Sequence, residues 1–413
     1  MSQPHSSLPL TSLPAHHVRH RQPSSIPLRI FATCFTAIMV AVHYTNYSPL
    51  ITIIRSELHA NGSQVGLFST LLFLGLASAY IPAGILGDRL GARPVLIASC
   101  ALMGISAILL PLFPNLTWML VCRIFVGLGS GGAFITGAGI ASRLGKHASL
   151  GQGLYGGATQ AGSGLGLLVT PHLLSWIGWR GSFLFWGILS ATAVIIWLFI
   201  NDGQEIHTPV PINLKKAVHS RAVWTLGLSH LGTFGLGNAI AAWITVYLVM
   251  QYKLPLTLAA TFGSIVILAG MIFRPLGGIL LGRNVIGAIP LLRIGTIMGA
   301  VGVALLAIPL RFIPFAIIGL TLVAIGSTIP YTSVFNAAAN LRSVGKGVAQ
   351  ALVSDISSPT VIIGPPLIGF LVDRTGNFLL AFGSILLFSC VAITASFLAG
   401  PALKREAEDV AQE

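Results

Sequence analysis

Charge is the property that this sequence has least of. Only 8% of the 413 residues are charged and only 10 are acidic, whereas 54% are hydrophobic. The mean hydropathy is +0.87. A chain with so few charges cannot present a surface that water solvates, so composition excludes an ordinary soluble protein and indicates a polytopic membrane protein.

Cysteine is also scarce and is placed for neither a disulfide framework nor a metal site. Cys34, Cys100, Cys122 and Cys390 each lie in an apolar stretch without metal-ligand spacing. The net charge of +13 comes from cations scattered singly between apolar runs, which argues against nucleic-acid binding. Because no nucleophile, base and orienting group can be assembled from the motifs, we expect no enzyme, no cofactor and no metal.

Long hydrophobic runs, by contrast, fill the chain. A helix needs about 20 apolar residues to cross a bilayer, and twelve runs meet that length. The predicted spans are 28–54, 64–86, 95–114, 116–142, 149–174, 181–200, 222–250, 257–281, 291–310, 313–340, 348–371 and 378–399.

The longest polar connection falls between the sixth and seventh spans and divides the chain into two halves. We predict a six-helix bundle at 28–200, a linker at 201–221 and a second six-helix bundle at 222–400. Residues 1–27 are expected to form a disordered tail rather than a signal peptide, and residues 401–413 a second tail.

The loop cations predict the orientation in the membrane. With twelve spans both termini lie on one side, and that side carries sixteen loop Lys and Arg residues against five on the other. The excess of positive charge on the cytoplasmic side of membrane proteins places both termini in the cytoplasm. We expect a monomeric, multi-pass protein of the cell inner membrane.

A charged motif connects the second and third spans. It reads Gly84-Ile-Leu-Gly-Asp88-Arg89-Leu-Gly91-Ala-Arg93. This sequence resembles the loop motif Gly-x-x-x-Asp-Arg-x-Gly-x-Arg of the major facilitator superfamily at every fixed position. The resemblance implies an all-α membrane protein with twelve transmembrane helices in two six-helix bundles, transport by alternating access, and a gating role for these five residues.

A reduced copy of this motif occurs in the second half, where Gly278-Ile-Leu-Leu-Gly282-Arg283 lacks the acid. Duplicated six-helix units are typical of secondary transporters that bind substrate between the two units. The family resemblance further implies that Asp88 latches the cytoplasmic gate against the start of the eleventh helix, near Lys346.

Three charged residues lie deep inside predicted spans, away from the span ends: Arg123, Arg274 and Asp355. Charges in the bilayer are costly and usually functional. Two cations and one acid leave a surplus positive charge, and a guanidinium fork matches the oxygens of carboxylate or nitrate-like anions. We therefore predict a transporter of a small organic or inorganic anion that is held by Arg274 and Arg123.

The sequence around Arg274, Phe273-Arg274-Pro275, also resembles an Arg-Pro element in the eighth helix of monocarboxylate and nitrate/nitrite porters. The glycine-rich signature of the nitrate/nitrite branch is half matched on the fifth helix, at residues 156–162, and is not matched on the eleventh. The monocarboxylate signature at the start of the first helix is absent, so we assign no subfamily.

Asp355 is the predicted proton carrier, with His43 and His230 as candidate relays. A buried ion pair between Arg274 and Asp355 is the structural alternative, and a lone histidine between helices is more often a packing residue. The competing function is a proton-coupled exporter of hydrophobic compounds, in which the arginines are structural. It is weakened because the first bundle has no acid within its spans. A receptor or scaffold on a transporter fold is a second competitor, which the short loops disfavour.

Further substrate contacts are expected on the first, fourth, seventh and tenth helices, which line the cavity in the superfamily. An interhelical hydrogen bond is the alternative role for each candidate. The candidates are Tyr44, Tyr47, Asn238, Trp243, Tyr331 and Asn336.

Overall fold

The computed structural model describes residues 24–142, 148–202, 214–309, 312–341 and 346–412. Every regular element in these ranges is helical. Eleven of the helices are long and apolar enough to cross a membrane.

One of these eleven helices is long enough to contain two membrane spans. Ala148–Phe199 contains 52 residues, or about 78 Å at 1.5 Å per residue, whereas the hydrocarbon core of a bilayer is about 30 Å thick. Gly178 has φ of 70° and ψ of 176° and breaks the helix where the sequence predicts a connection. The described residues therefore form twelve spanning helices, and the predicted twelve-helix, all-α fold is confirmed.

We number the spanning helices in chain order. They are α1 Ile26–Glu57, α2 Gly62–Leu90, α3 Ala92–Leu109, α4 Leu116–Ser142, α5 148–177, α6 179–199, α7 Arg221–Tyr252, α8 Leu256–Gly282, α9 Ala288–Ala307, α10 Ile313–Ala338, α11 Ala349–Thr375 and α12 Leu379–Gln412. A short helix, Leu214–His219, precedes α7.

Consecutive helices cross in opposite directions, so the bundle has two ends. We call the end that carries the connections after α1, α3, α5, α7, α9 and α11 the odd end. The opposite end, which carries the remaining connections, is the even end.

Helix α2 shows how local sequence sets a boundary. The side chain of Asn61 accepts a hydrogen bond from the backbone N–H of Gln64, and the side chain of Gln64 accepts one from the backbone N–H of Asn61. This capping box satisfies two of the N–H groups that a helix start leaves unpaired. The helix ends at Gly91, whose φ of 93° ordinary residues rarely adopt.

Several spanning helices are interrupted near their middle. A 3₁₀ turn at Ser48–Leu50 breaks α1, and a π-helical segment at Leu231–Gly235 widens α7. Pro330 interrupts α10, and Pro359 follows a break in α11. Because proline lacks an N–H and π turns shift the hydrogen-bond register, these sites expose backbone polar groups, which a membrane tolerates only inside protein or beside a cavity.

The same arginine contact occurs once inside each half. The guanidinium of Arg93 donates to the carbonyl oxygens of Trp197 and Leu198 on α6, and Arg293 donates to those of Ser396 and Phe397 on α12. These contacts lie at equivalent places in the two halves, as an internal duplication requires.

Helix α12 is longer than its predicted span of 378–399. It continues to Gln412, so most of the segment at 401–413 is helical. Pro401 lies inside it and lacks an N–H, so the carbonyl of Phe397 loses its partner four residues on and is free to accept from Arg293.

Candidate functional site

A small cavity lies between the two halves, at the level of the helix interruptions. Its volume is about 30 Å³, enough for about two water molecules. Its charged lining residue is Arg274, and its polar lining residues are Gln160, Ser163, Thr233, Asn238, Ser327 and Thr328.

Arg274 joins the two halves at this cavity. Its side chain lies on α8 and is only 7% exposed. Nη1 donates to the carbonyl oxygen of Gly156 on α5 at 3.2 Å, and the guanidinium carbon lies 4.2 Å from the ring centroid of Tyr331 on α10. Nε is buried without a hydrogen-bond partner among the described residues. A carbonyl and an aromatic ring thus replace the carboxylate that a buried cation usually needs.

Asp355 does not supply that carboxylate. Arg274 and Asp355 form no ion pair in the described part of the chain, where the ion pairs found are Arg55–Asp373 and Arg180–Glu57. Oδ1 of Asp355 is buried without a hydrogen-bond partner in the same part of the chain. The charges of Arg274 and Asp355, both in the second half, therefore do not neutralise each other.

Arg123 occupies a different place from Arg274. Its side chain is fully buried within the first half, and Nε donates to the carbonyl oxygen of Phe68 on α2 at 3.2 Å. The guanidinium lies 5.0 Å from the ring centroid of Tyr47 and 5.7 Å from that of Phe68. Nη1 and Nη2 have no partner within the described residues. Neither Arg123 nor Tyr47 lines the central cavity, so the structure does not bring the two arginines together.

Two other predicted contacts lie at Arg274 or the cavity, and a third lies in the first half. Tyr331 packs against the guanidinium, whereas Tyr44, on α1, is buried with its ring centroid 4.9 Å from that of Phe73 on α2. Asn238 lines the cavity while Nδ2 donates to the carbonyl oxygen of Phe234 at 2.8 Å.

Two predicted contacts lie away from the cavity. Trp243 is fully buried, and its Nε1 donates to the carbonyl oxygen of Pro365 on α11 at 2.9 Å. Asn336 is exposed near the even end of α10.

The two histidines have partners of their own. Nε2 of His43 lies 2.9 Å from Oγ of Ser190 on α6, inside the first half. Nδ1 of His230 lies 2.6 Å from Oγ1 of Thr233, and its ring stacks on Phe234 with centroids 5.6 Å apart. His230 is thus next to two residues that line the cavity, whereas His43 is not.

The predicted gating motif lies at the even end. Gly84 is within α2, Gly91 ends it, Arg89 is exposed and Arg93 binds the carbonyls of α6. The side chains of Asp88 and Lys346 lie outside the described residues, so the expected latch between them stays a prediction.

Five polar residues that line the cavity were not predicted as site residues: Gln160, Ser163, Thr233, Ser327 and Thr328. Gln160 was recognisable, because it is the one amide side chain in residues 153–177 of α5. Thr328 was not, since its hydroxyl bonds to the carbonyl of Ala324 one turn earlier, as hydroxyls in any apolar helix do. Among the described residues, no group of three His, Cys, Asp or Glu side chains could hold a metal.

Interrupted spanning helices that surround a polar cavity between two halves define a class of protein, the multi-pass membrane transporters. The chain belongs to the Major Facilitator Superfamily, whose family model matches residues 33–359. It is therefore a transporter and not an enzyme.

Curated relatives share about a quarter of their residues with it. A probable nitrate transporter, NarT of Staphylococcus carnosus, is 25% identical over 84% of this chain and 89% of its own. A probable sulfoacetate transporter, SauU of Cupriavidus necator, is 24% identical over 84% and 88%. The nitrite extrusion protein of Bacillus subtilis is 25% identical over 81% and 85%.

A solved structure shares the fold. It is a bacterial homolog of the human lysosomal transporter Spinster in an inward-facing and occupied conformation. The TM-score is 0.75 with 16% identity, and the match covers 93% of this chain and 99% of that one.

Proposed function

We propose that this protein moves a small organic or inorganic anion across the membrane by alternating access, with Arg274 as the main ligand. The observation that carries the proposal is the guanidinium of Arg274, which lines the cavity between the halves and has no carboxylate partner among the residues that the structure describes. A buried cation without an opposite charge is unfavourable, and an anion in the cavity would supply that charge.

The names of the relatives support an anion rather than a hydrophobic compound, since they specify nitrate, nitrite and sulfoacetate. The guanidinium in the cavity lining supports the same class, because its fork matches the oxygens of such anions. A small oxyanion is the substrate class that we propose.

The neighbours of Arg274 have distinct roles in this proposal. The anion would replace the carbonyl oxygen of Gly156 as the hydrogen-bond acceptor of Nη1. The ring of Tyr331 would keep the guanidinium in place by packing against its face. Asn238 and Gln160 carry amide N–H groups that can donate to further anion oxygens. Because the Gly156 carbonyl comes from the other half, exchanging it for the substrate would couple binding to the contact between the halves.

Arg123, Tyr47, Trp243 and Asn336 do not line the cavity in this conformation. We propose that they meet the substrate only after the helices around them move, and that Arg274 makes the first contact. Tyr44 does not line the cavity either and belongs to this later group.

The test is uptake into proteoliposomes that contain the purified protein. Labelled nitrate, nitrite and sulfoacetate are compared with a lipophilic cation, with and without a pH gradient. Arg274→Lys keeps the charge but loses the bidentate fork, and Arg274→Gln loses both, so each should lower anion uptake by about tenfold or more.

Arg293→Lys and Arg293→Gln are matched controls. Arg293 also donates to backbone carbonyls and lies 4.5 Å from a ring centroid, that of Phe397, but it is remote from the cavity. Wild-type uptake by the Arg274 variants, or an equal loss of uptake in the Arg274 and Arg293 variants, would refute Arg274 as the anion ligand.

One observation favours the competing function, a proton-coupled exporter of hydrophobic compounds. Oδ1 of Asp355 is buried with no hydrogen-bond partner in the described ranges of the chain, and such a carboxylate can carry a proton through the cycle. Transport of the lipophilic cation, with no anion transport, would select this alternative.

A further inference from the structure

A single carboxylate connects the two halves at the odd end. Oδ1 of Asp373, at the end of α11, lies 2.7 Å from Nη2 of Arg55, at the end of α1. Oδ2 of the same residue accepts a hydrogen bond of 2.5 Å from the backbone N–H of Gly62, the first residue of α2. Both partners belong to the first half, and Asp373 belongs to the second.

The Gly62 contact places the acid at a favourable site. The first N–H groups of a helix have no partner within the helix, and the helix dipole adds partial positive charge there. Asp373 therefore caps α2 from the other half of the molecule. It meets two kinds of positive charge, one on a side chain and one on the backbone.

The sequence around Asp373 is a further copy of the charged motif at the end of α2. Gly369-Phe-Leu-Val-Asp373-Arg374-Thr-Gly376 repeats the pattern Gly-x-x-x-Asp-Arg-x-Gly of residues 84–91. Both copies also end their helix at a glycine with positive φ, Gly91 at 93° and Gly376 at 68°, although ψ differs, at 144° and 6°. The two helices are neighbours in the fold and run in opposite directions, so their motifs lie at opposite ends of the molecule.

Glycines bring the backbones of α2 and α11 close enough for this contact. A Cβ on Gly62 would lie 2.7 Å from the carbonyl oxygen of Gly369 and 2.9 Å from Oδ2 of Asp373. A Cβ on Gly66 would overlap the backbone of Pro366. Side chains at these positions would hold the two helices apart, so the sequence is fitted to a closed odd end.

We propose that Asp373 is a latch that holds the odd end closed, through Arg55 and the start of α2, and that it must release each time this end opens. The halves of a transporter rock against each other around a central site, so a contact that bridges them at one end exists in only some states of the cycle. The contact is partly exposed, with side-chain exposures of 32% for Arg55 and 27% for Asp373. It is therefore weak enough to break in every cycle.

The experiment measures the width of the odd end in the full-length protein in lipid, without substrate. Spin labels are attached at Leu112→Cys and Leu380→Cys, two exposed positions at the odd end of different halves, after Cys34, Cys100, Cys122 and Cys390 are changed to serine. Their separation is measured by pulsed electron paramagnetic resonance. Asp373→Asn should raise the ratio of wide to narrow distances by about fivefold, since it weakens an exposed ion pair and a helix cap together.

Arg55→Gln removes only the ion pair and should give a smaller increase. Exchanging the charges, with Arg55→Asp and Asp373→Arg in one protein, should recover part of the narrow population, which a folding defect would not. High salt should widen the distances in the wild type more than in Asp373→Asn.

Glu57→Gln is the matched control, because Glu57 pairs with Arg180 at the same end, at 4.0 Å, but within one half. Unchanged distances in Asp373→Asn, or an equal shift in Glu57→Gln, would overturn the proposal. The distance measurement uses no substrate, so it tests the latch even if the protein proves not to transport anions. Likewise, unchanged distances in Asp373→Asn would not affect the anion-transport proposal.

Discussion

At the scale of single residues, the membrane-embedded arginines show how a guanidinium can be kept inside a protein without a carboxylate. Arg274 and Arg123 each donate to one backbone carbonyl of a neighbouring helix and lie against aromatic rings. Ring faces and carbonyls carry partial negative charge, which lowers the cost of burial but does not cancel a full positive charge. In our proposal the remaining positive charge attracts the anion, and of these two arginines it is Arg274 that lines the cavity.

Asp355 gives the residue-scale prediction for proton coupling. Asp355→Asn keeps the size of the side chain but cannot lose a proton. If Asp355 carries the proton, this variant should transport anions at a rate that no longer responds to an imposed pH gradient. The measurement is initial uptake of a labelled anion into proteoliposomes at several internal and external pH values.

Asp373→Asn is the matched control for Asp355→Asn. It removes a carboxylate from the same helix but at the odd end, where we propose a gating role, so the response to a pH gradient should persist. A pH response that survives in Asp355→Asn would assign proton coupling to another group or remove it from the mechanism.

The sequence identified the charged residues inside the spans but not the side chains that each of them contacts. Helical rise fixes how deep Arg123 and Arg274 lie, because each residue adds a known length. It does not fix which way each side chain points around the helix relative to other helices. The two arginines were therefore predicted to share one chamber, whereas Arg123 is sealed among helices of the first half.

At the scale of helices, glycines set the distance between neighbours. On α4, a Cβ at Gly127 or Gly131 would overlap the carbonyl oxygen of Leu72 or Leu76 on α2. Small residues in such seams let backbones approach closely, and close approach is a main source of attraction between helices in a membrane. The Gly-rich stretch of α4 is therefore a packing seam between α2 and α4.

Gly127→Ala tests this seam. The added methyl group must displace the backbone of α2, and overpacking of this kind typically costs about 1–3 kcal/mol. We expect a lower unfolding temperature in detergent, measured by a thermal-shift or fluorescence assay. Gly383→Ala on α12 is the control, because a Cβ there meets nothing within 4 Å, and it should be neutral or stabilising by up to about 1 kcal/mol. Equal stability of the two variants would contradict a tight α2–α4 contact.

At the scale of the whole molecule, the architecture was readable from sequence because the membrane imposes it. Every span must satisfy its own backbone and be long enough to cross, so apolar length alone predicts number and order of helices. The connection at Gly178 was predicted as a loop, but it is a break of one residue within continuous helix. The role of Asp373 was missed for a related reason. It lies in a loop-end position, where charges are common, and only the fold brings it to the start of α2.

The orientation of the whole molecule gives the last prediction. The excess of cations at the even end predicts that this end lies in the cytoplasm, since positive loops are retained on that side during insertion. A cysteine at Asn284, exposed in the connection after α8, should then react with a membrane-impermeant maleimide only after the cells are permeabilised. A cysteine at Leu112, exposed at the odd end, should react in intact cells. Both are placed in the cysteine-free background, and the opposite pattern would reverse the proposed orientation and, with it, place the Asp373 latch on the cytoplasmic side.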